Sequence, residues 1–318
     1  MKFRTEIKPH SPSFLIRSQD RILTSGSCFT VHIGNFLKDH FFNIKVNPFG
    51  TLFNPHSIWQ LIKRVKDGRV FEEKDIFFHD GQWKSFDLYS HFNRETKKDF
   101  LHDINLLLQE VHDFLTATDL LIITYGTAQV FIEKQSGQIV ANCHKIPAKH
   151  FEKRMLSASE IDDYTEKIYR ASKAMNPSMK FIFSVSPVRY LQDGMLANSQ
   201  SKARLLDALI DFTNRHPSDT YYFPAFEIFS DDLRDYRFYA SDLIHPGEQG
   251  IRYTTEIFTD LFFDKNGKQM LRETEKLRKM MQHRFFDENS EETLKFQEKT
   301  RNKINELKQK FPGLLFPE

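Results

Sequence analysis

Two short segments carry residue types that could do covalent chemistry, and the first is a turn between a predicted strand and a predicted helix. An apolar strand is predicted over residues 21–24, and it leads into Gly26, Ser27 and Cys28. A helix is predicted from about Cys28, because apolar residues recur at helical spacing over residues 29–37. A thiol or hydroxyl there faces free backbone N–H groups and the helix dipole, which favour an anion and lower a thiol pKa. Cys28 and Ser27 are therefore candidate nucleophiles, and Ser27 is also expected to cap the helix with its hydroxyl.

The second segment pairs a carboxylate with an imidazole, at Asp242 and His245. An aspartate can orient a histidine, and the histidine can then take a proton from a nucleophile. Two intervening residues in a loop allow both side chains to turn toward one point. This spacing is also common in surface turns, so on spacing alone the two interpretations are equally supported.

The elements around these segments indicate an α/β fold. Residues 120–123 form an uninterrupted apolar run, which is typical of a strand covered on both faces. Strands and helices alternate, which predicts a three-layer α/β/α sandwich with a mainly parallel, flavodoxin-like sheet. Strands are predicted at 21–24, 44–46, 119–124, 180–184 and 221–224, and helices from about 28, 55, 98, 157 and 201 and after Pro246.

Gly26-Ser27-Cys28, Gly126-Thr127 and the loop before His245 all follow predicted strands at their carboxyl ends. Ligands of open α/β sheets bind at these ends. The sequence therefore predicts one site that brings the three segments together.

Composition limits the class of protein. The chain has 318 residues, 40% apolar and 28% charged, which suits one core of roughly 200–250 residues plus an extension. A formal charge of +2 gives no reason to expect a nucleic-acid or membrane partner. With only two cysteines, no apolar N-terminal segment and no long apolar run, we expect a cytoplasmic protein. A monomer or a dimer is expected.

The last part of the chain differs in character. Residues 266–318 are highly charged and predict two helices, at about 269–283 and 291–310, each with a short apolar stripe. We expect a hydrolase-like domain over 1–265 and a helical hairpin extension over 266–318. A hairpin that folds onto the domain is preferred to one that dimerises.

Several segments resemble a known family. Gly26-Ser27-Cys28-Phe29-Thr30 is similar to the signature of the GSCFA family, a bacterial group within the SGNH (GDSL-like) hydrolase superfamily. The resemblance continues through residues 47–51, 123–128, 142–145, 185–189, 198–203 and 233–245, and it covers about residues 20–265.

The resemblance implies a role for each matching residue. The superfamily's first block places Cys28 at the nucleophile position, and its last block places Asp242 and His245 as acid and base. Its glycine donor to the oxyanion falls on Gly50. Its third block falls on Gly126-Thr127-Ala128, where the usual asparagine donor is absent and Thr127 or a backbone N–H is the expected substitute.

The resemblance implies an esterase or acyltransferase that acts on an acyl ester, which could be borne by a carbohydrate. The alternative is a non-catalytic binding protein that retains the fold, because a thiol replaces the usual hydroxyl and one donor is absent. Asn142, His144 and Arg189 are predicted to line the substrate site. No metal or other cofactor is expected, since Cys143 and His144 have no second ligand pair in the sequence.

Overall fold

The structure is a computed structural model and describes residues 4–283, 285 and 290–317. Its centre is a five-stranded sheet in which every neighbouring pair is parallel. The strands of this sheet are β1 (Ile22–Gly26), β2 (Ile44–Val46), β5 (Leu120–Tyr125), β9 (Lys180–Val185) and β10 (Thr220–Tyr222). Their order across the sheet is β2-β1-β5-β9-β10, which is the flavodoxin-like order.

Helices surround this sheet in the alternating pattern that the sequence predicted. They are α1 (Cys28–Asp39), α2 (Pro55–Lys66), α3 (Lys97–Leu115), α4 (Ala158–Met175), α5 (Gly194–Arg215), α6 (Ala225–Glu227), α7 (Glu248–Phe262), α8 (Lys265–Met281) and α9 (Glu291–Lys310).

Two hydrophobic cores, one on each face of the sheet, make the fold a three-layer α/β/α sandwich. One core joins α2, α3, α4 and α5 to one set of strand side chains, which includes Leu121 and Ile123. The other joins α1, α7, α8 and α9 to the alternate set, which includes Leu120 and Ile122. All four of these β5 residues are buried, because both faces of a central strand are covered.

Two small antiparallel sheets lie outside the central one. Strands β3 (Phe77–His79) and β4 (Gln82–Lys84) form a hairpin. Strands β6 (Gln129–Glu133), β7 (Ile139–Val140) and β8 (Phe151–Met155) form a three-stranded sheet. No strand was predicted from the sequence for residues 129–155, because these strands are short and mostly half-buried or exposed and so carry little apolar alternation.

Helix α5 is longer than predicted. It begins at Gly194 rather than near Ser201. Met195 and Leu196 in its first turn are 49% and 88% exposed, so this turn has no buried apolar stripe for a sequence pattern to reveal.

The two predicted C-terminal helices are present as α8 and α9. Met270, Leu277 and Leu307 are buried in the core that α1 also joins. His40, the C-terminal cap of α1, pairs through Nδ1 with the Thr274 hydroxyl at 2.7 Å. Burial lowers the pKa of His40 to about 4, so the ring is neutral where it meets α8.

Among the described residues, no helix combines the length and the apolar character that crossing a bilayer requires.

Candidate active site

Most of the predicted site residues meet at the point where the strand order of the sheet reverses. Cys28 follows β1 and Gly126 follows β5, and these strands are neighbours from which the chain winds in opposite directions. A cavity of about 530 Å³ opens beside this point. Seven of the residues predicted from the sequence line it, namely Ser27, Cys28, Gly126, Thr127, Asn142, Arg189 and His245.

Asp242 and His245 form the carboxylate–imidazole pair. Asp242 Oδ2 lies 2.6 Å from His245 Nδ1, and Asp242 Oδ1 accepts the backbone N–H groups of Ile244 and His245, both at 2.9 Å. These two N–H bonds, together with the imidazole, lower the pKa of Asp242 to about 2. The pair is therefore built by a tight local turn, and Nε2 is the ring nitrogen left for other partners.

Cys28 is the first residue of α1 and is half-buried. Burial raises the pKa of its thiol, although its own backbone N–H and the Ser27 hydroxyl both act to lower it. The expected lowering of this pKa is therefore wrong, because the loss of water outweighs the helix N-terminus. A thiol of this kind needs a neighbouring base to remove its proton.

Ser27 does not cap α1 through its side chain, so that expectation is also wrong. The residue is held by its backbone instead. Its N–H donates to the Thr124 carbonyl at 3.0 Å, and its carbonyl accepts from the Thr30 hydroxyl at 2.6 Å. Its hydroxyl interacts with the Cys28 side chain and favours the thiolate form, which acts to lower the pKa of the thiol.

The N–H groups predicted as oxyanion donors already have partners in this structure. The Gly50 N–H donates to the Asn47 carbonyl at 2.8 Å, and Gly50 is not among the cavity-lining residues. The N–H groups of Gly126 and Thr127 both donate to the Phe53 carbonyl, at 2.7 and 2.9 Å. As folded here, none of the three is free to donate to a substrate oxygen.

The Thr127 side chain is also engaged, which removes the predicted substitute for the absent asparagine. Its hydroxyl lies 3.1 Å from the Ser201 hydroxyl and accepts the Gln129 N–H at 3.0 Å. Ser201 also accepts the Ala128 N–H at 2.7 Å. The loop after β5 is thus fixed to α5.

A buried lysine that the sequence analysis did not single out lies beneath the same loop. Lys202 Nζ donates to the carbonyls of Gly126 and Ser186, both at 2.7 Å, and so joins the carboxyl ends of β5 and β9. Burial lowers the pKa of Lys202 to about 7. One sequence signal could have revealed it, because Lys202 occupies the helical stripe otherwise formed by Leu205, Leu209 and Phe212.

In the segment 142–144, the first two residues line the cavity and the third is buried in the interior. Asn142 and Cys143 line the cavity, and Asn142 Nδ2 donates to the Ser90 hydroxyl at 2.9 Å. His144 is buried, and its Nε2 lies 2.7 Å from the Ser85 carbonyl. The prediction that His144 lines the substrate site is therefore corrected: it packs inward, and its neighbour Cys143 faces the cavity.

Arg189 supports the loop that carries the carboxylate–imidazole pair. Its guanidinium donates to the Leu243 carbonyl and lies over the rings of Tyr236 and Tyr239, 5.5 and 4.9 Å from their centres. Leu243 has a φ of 58°, a strained value for leucine. Arg189 thus lines the cavity and also stabilises the strained turn at Leu243, between Asp242 and His245.

His32 is a second imidazole near Cys28 that sequence reasoning missed. It lies four residues along α1, on the same helix face, and both side chains line a small apolar cavity next to Pro246. Burial and the nearby His245 lower the pKa of His32. The spacing of four from a candidate nucleophile was the available signal.

Within the part of the chain that the structure describes, no group of three or more His, Cys, Asp or Glu side chains could hold a metal ion.

Comparison with protein families decides the relationship. The model of the GSCFA family matches residues 21–258, which is most of the chain. The chain belongs to the GSCFA family. A second model, that of the GSCFA domain protein C-terminal domain, matches residues 274–317 of this GSCFA protein, a range that takes in the second half of α8 and all of α9.

Two solved structures are similar to this GSCFA protein over most of its length. A family 3 carbohydrate esterase from Talaromyces cellulolyticus has 9% sequence identity and a TM-score of 0.31, and the match covers 81% of this chain and 99% of the esterase. A family 3 carbohydrate esterase of Clostridium thermocellum has 13% identity and a TM-score of 0.31, with coverage of 80% and 97%. No curated protein matches the chain.

Proposed function

We propose that this protein is an ester hydrolase of the SGNH type, in which Cys28 attacks an acyl ester with His245 as general base and Asp242 as its orienting group. One observation carries the proposal: His245, whose Nδ1 lies 2.6 Å from Asp242 Oδ2, lines the same cavity as Cys28 at the strand-order reversal. A nucleophile, a base and a group that orients the base are the minimum for covalent acyl transfer.

The reaction that these groups support has two steps. As the Cys28 sulfur bonds to the acyl carbon, its proton passes to His245 Nε2, and the carbonyl oxygen gains the negative charge. Collapse of this intermediate breaks the ester C–O bond, and the alcohol leaves with the proton from His245. Water then gives a proton to His245 and attacks the thioester; the C–S bond breaks, the acid leaves, and His245 returns the proton to the Cys28 sulfur.

The pKa values fit this division of roles. Because burial raises the Cys28 pKa, the thiol stays protonated until His245 takes the proton during attack. Asp242, with a pKa of about 2, stays ionised over the pH range in which a histidine works. The carboxylate can therefore stabilise the imidazolium that forms at each step.

The cavity sets the substrate class that we propose. At about 530 Å³ it has room for more than a small acyl group. Its wall combines aromatic rings with polar side chains, including Phe53, Phe131, Tyr190, Asn142 and Gln192. This mixture suits an acyl ester whose alcohol part is polar, such as an acylated sugar, and transfer to a second hydroxyl in place of water would make the protein an acyltransferase.

The direct test measures hydrolysis of p-nitrophenyl acetate, butyrate and octanoate and release of acetate from peracetylated sugars. We expect turnover that His245→Ala abolishes, and intact-protein mass spectrometry should detect a thioester on Cys28. Absence of both turnover and adduct, with all of these esters, would contradict the proposal.

The second candidate is a binding protein without turnover, and the occupied N–H groups of Gly50, Gly126 and Thr127 favour it. Without an oxyanion donor, attack by the thiol would be slow, because loss of one such donor lowers the rate by about 10²–10³-fold. This candidate predicts ligand binding in the cavity with no acyl adduct in the same mass-spectrometry experiment.

A further inference from the structure

The occupied N–H groups leave open which groups would stabilise the negative oxygen that forms when the ester is attacked. A substitute donor must line the cavity, carry an N–H that no other residue accepts, and be held rigidly near the nucleophile. We propose that Asn54 is this donor and that its side-chain amide, together with the backbone N–H of Cys28, forms the oxyanion hole. This inference rests on the proposed ester hydrolysis.

Asn54 is the N-terminal cap of α2, and its capping bond fixes which of its side-chain atoms can donate. Its Oδ1 accepts the Ser57 N–H at 2.9 Å. Because a backbone N–H can only donate, the atom that it meets must be the amide oxygen, which assigns the other end of the side chain as Nδ2. The amide group is thus held at one end by the helix and presents two N–H donors at the other.

The Nδ2 group is unpartnered at the cavity wall. Asn54 is only 6% exposed and lines the same cavity as Cys28, and Nδ2 makes no hydrogen bond to any residue that the structure describes. A buried amide normally uses its donors, so an unused pair beside a cavity indicates a place for a ligand acceptor.

The chain around Asn54 is fixed against the strand that carries the nucleophile turn. The carbonyl of Phe53 accepts both N–H groups that follow β5, those of Gly126 and Thr127. A Cβ added at Gly126 would lie 3.3 Å from both this carbonyl oxygen and the Ser27 hydroxyl oxygen. Phe53, Gly126 and Ser27 therefore meet at one place, and Asn54 and Cys28 are the next residues along the two chain segments.

The second donor follows from helix geometry. Cys28 is the first residue of α1, so its N–H has no carbonyl four residues earlier within the helix. No backbone carbonyl in the described part of the chain accepts it. One backbone donor and one side-chain amide, from two different elements, can face the oxygen of a tetrahedral intermediate formed on the Cys28 sulfur.

The capping bond provides variants that separate the donor from the cap. Asn54→Asp keeps an oxygen for the Ser57 N–H, since Asp caps helices as well as Asn does, but it replaces the amide with an acceptor. Asn54→Ser also keeps a capping oxygen and adds no charge. Asn54→Ala removes both functions. Thr96→Ala removes the cap of α3, whose hydroxyl accepts the Asp99 N–H at 3.1 Å, in a helix that does not line the cavity.

We expect Asn54→Ser and Asn54→Asp to lower kcat for the best aryl ester by about 10²–10³-fold, with KM changed by only a few-fold. Thr96→Ala should leave kcat unchanged. Melting temperatures should fall for Thr96→Ala and Asn54→Ala and be retained in the two capping variants, so that activity follows the amide and stability follows the cap.

A trifluoromethyl ketone that matches the acyl group supplies a second measurement, because it adds to a thiol and forms an oxyanion without turnover. The wild type should bind this ketone far more tightly than the corresponding alcohol, which cannot form the oxyanion, and Asn54→Ser should lose most of the difference. If both capping variants keep wild-type kcat and ketone affinity, the Asn54 inference is wrong while the hydrolase proposal stands. If the wild type neither turns over esters nor forms the ketone adduct, the hydrolase proposal is wrong and the Asn54 role falls with it.

Discussion

Cys28 and His245 line one cavity, but different kinds of interaction hold the two elements that carry them. The turn before Cys28 is fixed by buried bonds from several parts of the chain, such as the Ser27 N–H to Thr124 and the Asn47 side chain to Gly26. The loop with Asp242 and His245 is half-exposed, and most of its bonds are to its own neighbours. Its main distant contact is Arg189.

This difference indicates which property each region controls. Changes around the turn of Gly26, Ser27 and Cys28 should alter both stability and activity, because they remove buried partners. Changes in the loop of Asp242 and His245 should alter activity with little effect on stability, because few buried contacts depend on them. Each prediction below tests one side of this comparison.

The largest effect is expected for Cys28→Ala, which removes the proposed attacking atom. We expect ester hydrolysis to fall by about 10⁴-fold or more, as for the loss of a nucleophile in other hydrolases of this mechanism. Cys28→Ser should keep part of the activity, because a hydroxyl in the same position can also act as a nucleophile when a base takes its proton. Initial rates with p-nitrophenyl esters are the measurement, and full activity in Cys28→Ala would exclude the proposed mechanism.

The next largest effect on activity is expected for Asp242→Asn. The amide can no longer hold the imidazole in the required tautomer, so we expect kcat to fall by about 10²–10⁴-fold. The melting temperature should not change, because the side chain is exposed. Asp235→Asn is a matched control, since Asp235 also accepts a backbone N–H two residues on, from Arg237 at 2.9 Å, but does not contact His245. Equal losses of kcat in the two variants would show that the loop, rather than the pair, is responsible.

A substitution of Lys202 tests the expectation that removing a buried partner near the turn before Cys28 lowers stability. Lys202→Met leaves the Gly126 and Ser186 carbonyls without their donor, which we expect to cost about 2–5 kcal/mol of unfolding free energy. The activity should change as well, since Gly126 and Ser186 both line the cavity. Urea unfolding is the measurement, and Lys276→Met, an exposed lysine on α8, is the control.

The lowered pKa of Lys202 also predicts how the unfolding free energy depends on pH. Its pKa falls from an ordinary 10.5 to about 7 on folding, so between these values the unfolded chain binds more protons than the folded protein. The lysine therefore makes folding more favourable as the pH rises from about 7 to 10.5. The difference in unfolding free energy between wild type and Lys202→Met should widen over this range, and a constant difference would contradict the low pKa.

The difference between local and distant interactions also explains how much of the fold and the site could be predicted from the sequence. The apolar run at 120–123 and the strand–helix alternation fixed the parallel sheet, because buried strands leave a strong pattern. The local turn at Asp242 and His245 was also predictable, because both partners are three residues apart.

The roles that depend on distant partners could not be predicted. No sequence pattern shows that the Phe53 carbonyl takes the N–H groups of Gly126 and Thr127, 73 and 74 positions away. The pKa of Cys28 was predicted in the wrong direction for the same reason, because its burial depends on elements far along the chain. The inward packing of His144 likewise depends on the Ser85 carbonyl in another segment.

The smallest effect is expected for Ser27→Ala, and it distinguishes the two candidate nucleophiles. Because the hydroxyl makes no capping bond, its removal should change the unfolding free energy by less than the roughly 1 kcal/mol of a lost N-cap. The hydroxyl does stabilise a Cys28 thiolate, so we expect the thiol pKa to rise further and the rate to fall only a few-fold. Iodoacetamide alkylation of Cys28 against pH would measure this pKa, with Cys143 as an internal reference whose pKa burial raises to about 11. If Ser27→Ala were inactive and Cys28→Ala active, the register would be shifted by one residue and the serine would be the nucleophile.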